Sequence, residues 1–287
     1  MLTSIARVAN AVPVPNGTQI SMVVDEPKTI PKGIFTKENI LPGSLSVDYR
    51  LYTDDEFDGV EIEYTDPTTY EKATVLCLVG DDAGDNPEQV KLIGVMDRTR
   101  AWRIGMRLRE SQKLRRTAVK FDAGKEAQIP NYNDLILVAH DVLDAGAQTG
   151  RVLSISGTTV TLDTNLDWTA SGAKQIAFRS IYGEEVGPFT VTEGTSPNIA
   201  ILGASLTAGE LALIPSGDTK EKPVFAFGTA TEYARKCRVA NIQIGNGETV
   251  EIEAVEDNET VYSHDTESPP AETIYTCLLY TSPSPRD

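Results

Sequence analysis

Apolar and polar residues alternate in LSVDYRLY at 45–52 and again in VEIEY at 60–64, a period of two that predicts two half-buried strands. DDEFDG between them supplies turn residues, so the pair is expected to close as a hairpin with one buried face. ATVLCLV at 73–79 is apolar without a break, which predicts a strand covered on both faces. VKLIGV at 90–95 reads as a further strand. From Ile20 to Ile40, short apolar pieces separated by Pro and Gly favour extended chain over helix.

Over 97–116 the period changes. In DRTRAWRIGMRLRESQKLRR, Ala101, Ile104, Gly105 and Leu108 fall at i, i+3, i+4 and i+7, with Trp102 and Met106 on the shoulder of that stripe. This is the pattern of an amphipathic helix packed on a sheet. Asp97 stands where an N-cap belongs, its carboxylate able to accept first-turn N–H groups. Lys113, Arg115 and Arg116 crowd the carbonyl end, which the helix dipole makes favourable for cations. TAVKF at 117–121 returns to extended character, and a boundary is expected near Ile129.

From about Pro130 to Glu221 the apolar runs are short and separated by Gly, Asn, Asp and Ser: LILVAHD, GRVLSIS, TTVTLDT, KQIAFRS, GPFTVT, NIAILG and ELALIP. Such strands predict a small β-barrel over 130–221, whose closure hides the strand edges. RVLSISGTTVTLD reads as a hairpin around Ser156 and Gly157, and CRVANIQI with ETVEIEAV as another around GNG. The predicted class is therefore mainly β (α+β minor): a β-sheet domain with one packed amphipathic helix and a small β-barrel.

Charge sharpens the picture of the helix. The chain carries a net −16, yet 97–116 carries +6, leaving −22 on the rest. The bulk of such a surface repels DNA, because nucleic-acid binding draws on Lys and Arg displacing counterions from phosphates. The basic face can be a solvated surface, a contact to an acidic neighbouring subunit, or a nucleic-acid contact. Arg103, Arg107 and Arg109 are the candidate subunit-interface residues.

NPEQVKLIGVMDRTRAWRIGMRLRESQKLRR resembles the pattern of the host-specificity proteins of long-tailed phages, also called J-type tip attachment proteins. Upstream, FTKENILPGSLSVDYRLYTDDEFDGVEIEYTDPTTYEKATVLCL (35–78) is similar to the strands preceding this helix in the family. Downstream, VFAFGTATEYARKCRVANIQIGNGETVEIEAVEDNETVYSHD (224–265) is similar to its closing element, with an acidic, Tyr-containing tail. The resemblance is collinear from about Val23 to Asp265, and the order of the blocks carries more weight than any one of them.

The resemblance implies a discontinuous hub domain, 23–129 plus 222–265, interrupted by the barrel at 130–221. Residues 1–22 form an N-terminal segment of unassigned order, and 266–276 a linker. It also implies a virion subunit at the tail tip, three copies of which surround the tail axis where DNA leaves. Its partners would be itself, other tail tip and tail tube proteins, and a host receptor reached through more distal regions. It implies no catalytic residues and no cofactor.

His140 and His264 each adjoin an Asp, but neither belongs to an HExxH motif, so strand-end or loop histidines bonded to neighbours are expected. DDEFD at 54–58 and DDAGDNPE at 81–88 could gather oxygen ligands for calcium; their spacing fails the EF-hand pattern and solvated turns explain both. GNGE at 245–248 lies in a hairpin, not between strand and helix, and so lacks phosphate-cradling geometry. Cys77, Cys237 and Cys277 have no CxxC spacing, and Cys77 is expected in the core.

No run approaches the roughly 18–20 apolar residues that span a bilayer, and the first residues lack the features of a signal peptide. Two other function classes stand beside the structural one: a cell-wall or polysaccharide-degrading tail enzyme, which should show an acid pair or zinc ligands, and a receptor-binding adhesion module. The last eleven residues, CLLYTSPSPRD at 277–287, match the translation of a transposase-type sequencing adapter joined after Thr276, so they are set aside from the fold.

Overall fold

The computed structural model describes residues 2–16, 19–51, 56–144, 146–214, 221–245 and 249–271. In chain order come α1 (Leu2–Val8), β1 (Ala11–Asn16), β2 (Gln19–Val24), β3 (Gly33–Thr36), β4 (Ser46–Tyr49), β5 (Val60–Thr65), β6 (Lys72–Cys77), β7 (Glu88–Lys91) and α2 (Arg98–Leu114). Next are β8 (Thr117–Ala123), β9 (Leu135–Ala139), β10 (Gln148–Ser156), β11 (Thr159–Leu162), β12 (Lys174–Arg179), β13 (Glu185–Glu193) and β14 (Ile199–Leu202). The chain closes with α3 (Ala208–Leu213), β15 (Val224–Thr229), β16 (Arg235–Ile244), β17 (Val250–Glu256) and a 3-10 helix, Glu259–Thr266. The protein is mainly β, as the alternating pattern predicts.

The strands form a six-stranded sheet in the order β3-β9-β16-β17-β8-β4, a closed barrel β10-β11-β14-β13-β12-β15, a three-stranded sheet β6-β5-β7 and the hairpin β1-β2. Phe35, Phe121, Ile136, Val239 and Ile252 fill the core on one face of the large sheet. Phe178, Phe225, Phe227, Ile176 and Leu162 fill the barrel. Small residues, Ala139 from the sheet and Ala177 and Ala226 from the barrel, pack with Ile34 and Leu137 where the two bodies meet.

β5 shows why the small sheet receives a helix: Val60, Ile62 and Tyr64 point inward while Glu61, Glu63 and Thr65 alternate outward. α2 lays Ala101, Trp102, Ile104 and Met106 on that apolar face. Gly105 permits the close approach, since a Cβ there would stand 2.7 Å from Ile62 Cγ1 and closer still to Cys77 Sγ.

Several strands lie in places other than those expected. LSVDYRLY and VEIEY do not form a hairpin: β4 pairs with β8, with Val47 opposite Val119, while β5 pairs with β6 and β7. The first two residues of the expected turn DDEFDG, Asp54 and Asp55, lie outside the described residues. β6 is an edge strand that buries Val75 and Cys77 and leaves Leu76 43% exposed, so ATVLCLV is covered on one face only.

β9, every residue of which is buried, is covered on both faces, as is its neighbour β3. β9 was expected in the barrel but belongs to the large sheet. Conversely, the PVFAFG strand, expected to rejoin the sheet, is β15 and closes the barrel. The two lie back to back across the shared core, and periodicity reports burial without naming the partner. ELAL at 210–213, expected as strand, lies in the helix α3, started by a capping box between Thr207 and Glu210. The β10–β11 hairpin forms as predicted, with Ser156 opposite Thr159 and Gly157 at φ +61°. β16 and β17 pair as predicted, while residues 246–248 of their turn lie outside the described residues.

Candidate functional site: the arginine helix and its acidic cradle

α2 begins as its sequence requires. Asp97 caps it, accepting from Thr99 N at 3.1 Å and Arg100 N at 3.2 Å, which satisfies donors that have no partner within the helix. With the apolar stripe committed to the sheet, the arginines point toward the rest of the chain, and there they meet acids from distant segments.

Arg109 is the most enclosed. Its side chain is 3% exposed and that of Asp82 4%. Two guanidinium N–H groups donate to the Asp82 carboxylate at 2.7 Å each, and a third donates to Phe57 O at 2.7 Å. Asp82 also accepts from Val79 N and from Lys113 Nζ. Burial works to raise the Asp82 pKa, but the bonds from Arg109, Val79 and Lys113 outweigh it and hold the group at about 2. Within this chain the Arg109 side chain is thus enclosed between Asp82 and Phe57 O.

Arg107 donates to Asp265 through Nε and Nη2 and to Asp25 O through Nη1, with its guanidinium 4.9 Å from the centre of the Tyr262 ring. Arg103 donates from Nε to Glu267 O at 2.7 Å, and Arg98 to Pro270 O at 3.0 Å. Arg116 pairs with Glu56. Within the chain these arginines meet carboxylates and carbonyls of its own tail and loops. Of the three candidate residues, Arg103 and Arg107 share that tail, and Arg109 faces the loop at 79–82 instead.

The centre of the cradle gathers Asp25, Arg238, Asp257 and Tyr262, which sequence reasoning passed over, around Arg115. Arg115 donates to Asp25 at 3.0 Å, to Asp257 at 3.3 Å and to the Tyr262 hydroxyl at 2.6 Å. Tyr262 in turn donates to Asp25 at 2.6 Å. From β16, Arg238, 4% exposed, donates to Asp257, Asp25 and Glu26 O. Burial tends to raise the Asp25 pKa, yet the Tyr262 hydroxyl and the two guanidinium groups bring it below the usual carboxylate range. One signal for these residues was present: the acidic tail VEDNETVYSHD directly after a predicted strand.

His264 sits between Glu267 at 2.7 Å and Glu110 at 3.3 Å, with its ring edge-on to Trp102, and so binds the closing 3-10 helix to α2. His140 accepts from Val142 N at a strand end. In the acidic loops, Asp58 accepts from Asp85 N and Asn86 N, and Asp82 is held by Arg109; Asp54 and Asp55 lie outside the described residues. Among the described residues no group of three His, Cys, Asp or Glu side chains is placed to hold a metal ion. Cys77 and Cys237 are buried free thiols, and Cys277 lies outside the described residues. No helix among the described residues is long and apolar enough to cross a membrane. The arrangement is a brace: α2 holds the segment after β2, strand β16 and the outgoing tail in one ion-pair network.

No protein-family model matches the sequence, and no curated protein matches it. Among solved structures, the chain is similar to one in the virion of native gene transfer agent (GTA) particle, with a TM-score of 0.48, 11% identity and 94% of this chain covered. It is also similar to the tail protein from Neisseria meningitidis MC58, with a TM-score of 0.38, 10% identity and 89% of this chain covered. The chain spans 40% of the length of the first and 53% of the second.

Proposed function

We propose that this chain is a structural, nonenzymatic part of a phage tail-tip hub, lying around the tail axis and linking the tail tube to the receptor-binding end. The reading rests on the collinear resemblance from about Val23 to Asp265. One observation supports it above others: separate blocks of that resemblance meet in a single network. Asp25 comes from its beginning, Arg107 and Arg115 from the helix, and Arg238, Asp257, Tyr262 and Asp265 from the closing block. A segment that must transmit load from tube to tip needs its entry and exit tied together, and this network does that.

In this reading the full-length protein forms a trimer, other tail proteins bind around it, and DNA passes without specific contact along an acidic surface. Subunit contact through α2 would use Arg100, which is exposed, and Arg103, which keeps donors beyond its bond to Glu267 O. Immunogold labelling of purified particles with antibody against this chain tests the proposal. Label at the tail end distal to the capsid is the expected result. Label on the capsid or along the tube, or hydrolysis of peptidoglycan or capsular polysaccharide by the purified chain, would overturn it.

A further inference from the structure

Away from the cradle, where the barrel meets the large sheet, a cavity of about 370 Å³ is lined by Asn39, Arg179, Ser180, Glu221, Lys222 and neighbouring apolar groups. Arg179 ends β12. Burial pulls its pKa down, opposed by the charges of Glu126 and Glu221, neither of which bonds it. Its Nε is buried without a hydrogen-bond partner among the described residues. Arg109 and Arg238, more deeply buried, each have a carboxylate at hydrogen-bond distance. The Arg179 guanidinium is half-buried, with its Nε–H unsatisfied and no carboxylate bonded to it, so the cavity it lines is suited to receive an anion.

The other walls are donors too. Asn39 Oδ1 is engaged by the Thr36 hydroxyl at 3.0 Å, so its NH2 group is the part left to donate. Ser180 Oγ accepts from Tyr182 N, which leaves its own proton to give. Lys222 brings a second cation on the segment leading into β15. The one carboxylate in the wall, Glu221, is drawn toward Arg151 at 3.1 Å. A planar fork, an amide, a hydroxyl and an ammonium around one cavity suit a group with several oxygens in different directions.

We propose that the cavity around Arg179 binds a phosphate group, either the free ion or a small monoester. The site is independent of the tail-tip reading and needs no partner chain.

The test is thermal unfolding and calorimetric titration of the full chain with sodium phosphate at constant ionic strength, against chloride, with glycerol phosphate as a second arm. Phosphate is expected to raise the unfolding temperature where chloride does not. Arg179→Met should abolish the shift and weaken binding at least about tenfold. Asn39→Asp keeps the acceptor for Thr36 but sets a negative charge among the donors, and it should do the same; it decides the matter if the arginine variant fails to fold. Glycerol phosphate binding as tightly as the free ion identifies an esterified ligand, and weaker binding identifies the free ion. No phosphate-specific shift in the native chain, or an equal shift in both variants, overturns the proposal.

Discussion

Replacing Arg109 by Gln separates a brace inside one subunit from a contact between subunits. The native guanidinium makes three bonds of 2.7 Å, two to Asp82 and one to Phe57 O, at a site where both charged side chains are nearly inaccessible. Removing one member of a buried pair strands the other and typically costs about 3–5 kcal/mol. Here Asp82 keeps Lys113 Nζ at 3.1 Å and Val79 N at 2.8 Å, which places the loss near the lower end, about 3 kcal/mol. That is a large part of the roughly 5–15 kcal/mol that stabilises a typical domain.

Urea unfolding followed by Trp102 fluorescence in a Trp168→Phe background measures it, Trp102 being buried against the small sheet. The midpoint should fall with the slope unchanged. The acid limb gives a second reading. A carboxylate whose folded pKa is depressed stabilises the fold above its ordinary 3.8, and that contribution disappears as pH falls from 3.8 to about 2. For Asp82 this amounts to about 2 kcal/mol, and in Arg109→Gln, where the folded pKa is less depressed, this acid-dependent loss should be smaller. A stability change under about 0.5 kcal/mol, or failed assembly with native stability, would refute the burial argument.

Other perturbations have equally definite outcomes. Gly105→Ala gains up to about 1 kcal/mol of helix propensity but forces a methyl into Ile62 and Cys77, an overpacking that costs about 1–3 kcal/mol; a net loss in thermal stability is expected, and a gain would show that α2 can move away freely. Tyr262→Phe removes the hydroxyl between Asp25 and Arg115 and should cost about 1–2 kcal/mol. It should also move the acid-unfolding midpoint upward, because Asp25 loses a donor that holds its pKa down; an unchanged midpoint contradicts this. Burial pushes the Cys77 thiol up to about 12 and raises that of Cys237 as well. Peptide mapping after treatment with a thiol reagent at pH 8 should find neither labelled until the chain unfolds, and rapid native labelling would count against their burial.

Local interactions made much of the fold legible. The start of α2 is written in Asp97, its buried face in the spacing of Ala101, Ile104 and Gly105, and the β10–β11 turn in Gly157. Each depends on groups within a few residues, where backbone geometry and side-chain period are coupled. Strand partners were less legible. β4 and β5 look like a hairpin because both alternate, and alternation says only that one face is buried.

The sequence by itself determined a mainly β chain with one basic, capped, amphipathic helix whose apolar stripe seeks a sheet. The tertiary structure decided what the arginines do. Arg109 meets Asp82, 27 positions away; Arg107 meets Asp265, 158 away; Arg238 meets Asp25, 213 away. Charge composition shows that acids are abundant, but a guanidinium pairs only with the carboxylate that packing delivers to within about 3 Å. Chain topology alone sets that delivery, and through it the basic helix clasps segments of its own chain that lie far apart in sequence.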